Sequence, residues 1–176
     1  MENPDRPSAD SFAAQLRNEE VLTLQIIYAS LAGGIVLFTA VVLFLSLTAA
    51  QGGPATDPAL VRILTGVELA ITVPLIYVSS LVFRTRLESA ARDDRVPNAS
   101  LPAVLRSALI LRVAILEGGA MFGLVVCLIA VTSGVMQTNP AYWINLIGVL
   151  AMLTVVSQGF PTRDRLVEIY QSRILG

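Results

Sequence analysis

Residues 110–126 read ILRVAILEGGAMFGLVV. Without Arg112 and Glu117 the stretch would be a plain apolar helix. It lies inside a longer apolar run, Ser107–Val131. About 20 such residues suffice to cross a hydrocarbon core of about 30 Å. Three further runs accompany it: Val21–Leu47, Ala59–Phe83 and Pro140–Val156. Together they predict an all-α polytopic membrane protein, four transmembrane helices bundled within residues 21–158. A leader of residues 1–20 precedes the bundle, and an amphipathic tail of residues 159–176 follows. The first run is too long for a cleaved signal, and Glu19 and Glu20 stand where a short basic region would be needed.

Composition supports this class and removes others. Of 176 residues, 55% are hydrophobic and only 14% charged, against about 25% in soluble domains. A net charge of −1 offers no field for nucleic acid. All 12 basic residues are Arg, and there is no His, so the commonest metal ligand and general base is missing. Cys127 is the single cysteine, which rules out an intrachain disulfide. In its apolar run it reads as a small core filler. No nucleophile–base pair, metal cluster or phosphate loop is present, so no enzyme, cofactor or metal is expected.

The arginines predict the threading. Arg6 and Arg17 precede the first run. Arg84, Arg86, Arg92, Arg95 and Arg106 lie between the second and third, and Arg163, Arg165 and Arg173 follow the fourth. The other connections, TAAQGGPATDP and TSGVMQTNP, carry none. By the positive-inside rule both termini and the central loop are expected to be cytoplasmic. Asp57-Pro58 and Asn139-Pro140 read as capped helix starts. Tyr142 and Trp143 then fall where an outer aromatic belt belongs.

The second span should continue as helix to about Asp94, with Glu88 and Arg92 paired four apart. Pro97 and Pro102 should break the chain before the third span. The sequon at Asn98 has no meaning on a cytoplasmic loop. In the tail, Thr162 is a plausible N-cap, and Leu166, Ile169, Tyr170 and Ile174 share one face. The leader offers a similar pair, Phe12 and Leu16.

Spans one and three echo one another. LQIIYASLAGG (24–34) and LRVAILEGGAMFGLV (111–125) align on Gly33-Gly34 and Gly118-Gly119, an offset of 85 residues. Two related hairpins would give this pattern. The echo brings small-xxx-small pairs: Ala29/Gly33 and Ser30/Gly34, then Ala114/Gly118 and Gly119/Gly123. Such pairs let helix backbones approach closely in lipid. Spans one and three are therefore expected at the centre of the packing.

Four ionisable side chains fall within the spans: Arg62, Glu68, Arg112 and Glu117. A charge at mid-bilayer costs roughly 2.5–3.5 kcal/mol on insertion scales, so each needs a partner, neutralisation or a path to the surface. Arg62 is one turn from the outer end and can snorkel. Arg112 and Glu117 are five residues apart, about 140° around a helix, so they diverge. Glu117 is the deepest and cannot snorkel. Gln25, Tyr28, Ser30, Asn145 and Thr154 are the polar side chains available as companions.

EGGAMFGLVVCLIAV (117–131) resembles the carboxylate helix of rotary-ATPase proteolipid (c-type) subunits. That resemblance covers about fifteen residues and implies that Glu117 carries an ion. Span two lacks the glycine repeat of that family, the loop is longer, and Arg112 lies too near the carboxylate. Over most of its length the chain is similar to a group of small bacterial four-span inner-membrane proteins. LQIIYASLAGG, LRVAILEGGAMFGLV and FPTRDRL (160–166) carry that likeness, which implies the fold and location but no activity. The expectation is a structural or accessory subunit, a homo-oligomer or part of a larger complex, acting by helix packing. The alternative is a small proton or cation pathway centred on Glu117.

Overall fold

The computed structural model describes residues 7–48, 58–92 and 97–175. Arg6, Arg95, the Asp57 cap and the connection 49–57 lie outside the described residues. Seven α-helices form from the rest. They are α1 (Ala9–Gln15), α2 (Asn18–Thr48), α3 (Ala59–Arg92), α4 (Leu101–Thr132), α5 (Val135–Thr138), α6 (Ile147–Gln158) and α7 (Arg163–Tyr170). There is no strand among the described residues. Four helical segments are long and apolar enough to cross a membrane: α2, α3, α4, and α6 with the 3₁₀ turns Pro140–Leu146 before it. They pack together as one bundle.

The helix ends follow local chemistry. Asn139 accepts a hydrogen bond from the Ala141 N–H at 3.1 Å, and Thr162 accepts one from Arg165 N–H at 3.3 Å. Pro102 does not interrupt the chain as the sequence suggested. It sits in the first turn of α4, where its missing N–H removes no intrahelical bond. Pro97 instead leads into a 3₁₀ turn, Asn98–Ser100. Helix α3 runs through Pro74 to Arg92. At Gly134, φ is 74°, a left-handed turn after α4 that glycine adopts without a Cβ penalty.

Helix α4 is the centre of the bundle. It packs against α3, α6 and α2. Leu105, Val113, Leu116, Ala120, Leu124 and Cys127 are all buried along it. Helix α2 lies outside. A single stripe of Val21, Leu24, Tyr28, Ile35 and Val42 is buried, and the other faces are exposed. The expectation that spans one and three are both central is met only by the third. Nor do the spans form two equal hairpins. Helix α2 packs on α4 and α6, with at most marginal contact to α3, whereas α4 and α6 pack closely. The sequence echo places glycines at matching positions, but packing depends on what each helix faces.

Leader and tail form a clasp at the arginine-rich end. The rings of Phe12 and Tyr170 stack with centroids 3.9 Å apart. Tyr170 donates to the Pro7 carbonyl at 2.8 Å, and Arg163 donates to the Ala13 carbonyl at 2.7 Å and to Asn18 at 3.1 Å. Leu166 and Tyr170 are buried. The apolar face read in the tail is thus partly covered by the leader.

Candidate functional site

The four intramembrane charges are placed very differently. Glu68 is completely buried, at 0% exposure. Its helix explains why. The buried stripe of α3 runs Val61, Thr65, Glu68, Thr72, Ser79, Phe83, Leu87 and Ala90 at helical spacing, and its polar members lie between Thr65 and Ser79. The large apolar residues Leu60, Ile63, Val67, Ile71 and Val73 face outward. Between Thr65 and Ser79 the inner face of α3 is therefore polar while large apolar residues face outward, as expected where lipid is the solvent.

Opposite this stripe lie Gly119 and Gly123 of α4, one turn apart. A Cβ on Gly119 would come within 3.2 Å of Thr72 Oγ1. A Cβ on Gly123 would overlap the Asn145 carbonyl oxygen and approach Glu68 Oε1 to 3.2 Å. A Cβ on Gly148 of α6 would come within 3.0 Å of the Gly119–Ala120 backbone. Three helices thus close on one point, and their small residues make the approach possible.

Asn145 completes the cluster. Its Nδ2 donates to Thr65 Oγ1 at 3.1 Å and to the Tyr142 carbonyl at 2.7 Å. Both Glu68 carboxyl oxygens, Thr72 Oγ1 and Asn145 Oδ1 are buried without a hydrogen-bond partner among the described residues. The cluster holds more acceptors than donors. A buried polar group left in this state costs about 1–3 kcal/mol, and the Thr72 hydroxyl is the donor nearest to the Glu68 carboxyl. Among the described residues no group of three His, Cys, Asp or Glu side chains is placed to hold a metal ion. Glu68 is the sole carboxylate of the cluster.

Glu117 stands elsewhere. The contact of Glu68 with Gly123 places that carboxyl six residues further along α4, about 9 Å from the level of Glu117. Glu117 itself is half-buried, on the border of an outward face that includes Ala114, Gly118, Met121 and Val125. Gly118 has open space where a Cβ would stand. The same holds for Gly33 and Gly34 of α2, which face outward with Ala29. Of the small residues read as packing positions, only Gly119 and Gly123 are buried within the chain. Adjacent residues point about 100° apart, so Gly118 and Gly119 serve different faces.

Arg112 is half-buried. Its guanidinium carbon lies 5.2 Å from the centre of the Phe83 ring, a cation–π contact. Its Nε is buried without a hydrogen-bond partner. Arg62 faces outward near the far end of α3. None of Arg62, Glu68, Arg112 and Glu117 forms an ion pair among the described residues. Of the span-one polar groups, Gln25 donates to the Pro161 carbonyl, and Tyr28 donates to the Leu109 carbonyl while lying close to Arg112.

Tyr142 and Trp143, expected in an aromatic belt, lie in the 3₁₀ turns that open the fourth span. Tyr142 is buried, and its carbonyl is held by Asn145. Trp143 is half-buried beside it. The 3₁₀ turns of Pro140–Leu146 rotate Tyr142 inward. Cys127 is buried with its thiol 3.9 Å from the Tyr142 carbonyl, a filler of the same junction.

No protein-family model matches the chain, and no match was found among curated proteins or solved structures.

Proposed function

We propose that the protein is a structural or accessory subunit of a membrane complex in the bacterial inner membrane, with both termini and the arginine-rich connection cytoplasmic. It works by helix packing. The observation that carries this reading is the outward face of α4. There a mid-span carboxyl, Glu117, sits beside Gly118, whose Cβ position is open. Ionisable groups within spans normally face other protein and pair there. Small residues beside such a group allow a second helix to approach closely. The partner helix, from a second copy or another subunit, would supply a donor for Glu117.

Native mass spectrometry of the gently extracted protein tests this. A fixed stoichiometry is expected, and Gly118→Ile should dissociate the assembly while the isolated chain stays folded. A monomer under all gentle extraction conditions would overturn the reading.

A second reading has its own support in the acceptor-rich Glu68 cluster. In it, the chain passes a proton or cation, and Glu68 takes the role that the sequence assigned to Glu117. Reconstituted vesicles separate the two readings. Flux abolished by Glu68→Gln but kept by Gly118→Ile favours conduction. Absence of flux in the intact assembly removes it.

A further inference from the structure

A crevice of about 290 Å³ opens at the arginine-rich end, between the bundle and the tail. Its lining includes Tyr28, Phe83, Arg112, Arg165, Glu168 and Arg173. These residues come from α2, α3, α4, α7 and the turn Gln171–Leu175 that ends the described chain. Three guanidinium groups therefore converge on one concavity, with a single carboxylate against them.

That carboxylate is already engaged. Glu168 accepts from Arg165 at 2.6 Å, one turn away on α7. Arg112 and Arg173 have no ion-pair partner among the described residues. Arg84, next to Phe83 on α3, is close enough to Arg112 to add to the positive field. The buried, unpartnered Nε belongs to Arg112, about 16 Å along α4 from its first residue Leu101. The crevice thus runs from exposed arginines at its rim to a deep guanidinium, with Leu109 and Val155 also on its wall. A planar guanidinium presents several donors that match phosphate oxygens. Basic pockets between membrane helices suit anionic head groups.

We propose that this crevice binds a phosphate-bearing anion, held by Arg112, Arg165 and Arg173. The lipid source is an anionic phospholipid whose chains lie against the apolar wall. The soluble source is free phosphate. This gives Arg112 a role in the third span. It neutralises neither Glu117 nor Glu68, but forms the floor of an anion site.

The experiment uses the full chain in neutral detergent, probed with phosphatidylglycerol, phosphatidylcholine or inorganic phosphate. Native mass spectrometry reads the bound species, and thermal melting reads the stabilisation. Retention of phosphatidylglycerol over phosphatidylcholine is expected, and it identifies a lipid site. Stabilisation by inorganic phosphate alone, lost in the arginine variants, supports the same site with a soluble anion. Arg165→Gln and Arg173→Gln, both at exposed positions, should each weaken binding about fivefold, which corresponds to roughly 1 kcal/mol per basic residue. Glu168→Gln should not weaken it. Arg112→Gln should weaken it most where the protein still folds. Equal retention of both lipids, no binding of any probe, or binding unchanged in Arg165→Gln and Arg173→Gln would overturn the proposal.

Discussion

The two ends of the bundle treat polar groups in opposite ways. At the arginine-rich end, guanidinium groups line an open crevice and the ion pairs are exposed, as in Arg165–Glu168. In the far half, Glu68, Thr72 and Asn145 are sealed among three helices, with unpartnered oxygens. Exposed charges are solvated and individually worth little. Sealed ones depend wholly on their neighbours. Membership in a span therefore does not decide a residue's importance. What decides it is whether the side chain faces protein, an opening or lipid.

This contrast can be broken most severely at Gly123. Gly123→Leu would drive a side chain into the Asn145 backbone carbonyl, which a flexible side chain could avoid but a backbone oxygen cannot. No monodisperse protein is expected in detergent size-exclusion chromatography. Phe12→Ala ranks second. It removes a buried ring stacked on Tyr170, and a loss on the order of 3 kcal/mol in the attachment of the clasp is expected. Hydrogen exchange of the α7 amides should accelerate while α4 stays protected.

Two variants sharpen the comparison within the sealed cluster. Asn145→Leu leaves Thr65 and the Tyr142 carbonyl without their donor and should destabilise by about 1–3 kcal/mol, read as a lower thermal midpoint. Glu68→Gln adds donors among unpartnered acceptors, so its midpoint should equal or exceed that of the parent. A large drop would mean that the carboxyl is held as an anion. At the small end, Glu19→Gln breaks an exposed pair with Arg17 and should shift stability by no more than about 0.5 kcal/mol.

The four spans were legible in the sequence because a hydrocarbon solvent demands long apolar runs. The caps at Asn139 and Thr162 were legible because short polar side chains satisfy free helix N–H groups. The arrangement of the helices was not. In lipid both faces of a helix are apolar, so hydrophobic periodicity does not mark the interior. Gly33-Gly34 and Gly118-Gly119 look alike in sequence, yet only Gly119 meets another helix within the chain. The signal that could have found the sealed cluster is polar periodicity: Thr65, Glu68 and Thr72 fall on one face of α3. Depth along the span favoured Glu117 instead, and depth says nothing about direction around the helix. The crevice at Arg112 draws on six segments, most of them far apart in sequence, which no local pattern could bring together.

The clasp between leader and tail also bears on synthesis. Pro7 and the Tyr170 hydroxyl that binds it are 163 residues apart. The leader leaves the ribosome long before its partner exists. The contact therefore closes only after α6 has been made and the last residues of α7 have emerged, and loop closure over such a distance comes late. A chain halted before α7 would carry Phe12 without its stacking partner Tyr170. The stacked rings thus record, in the finished protein, that both ends of this stretch were made.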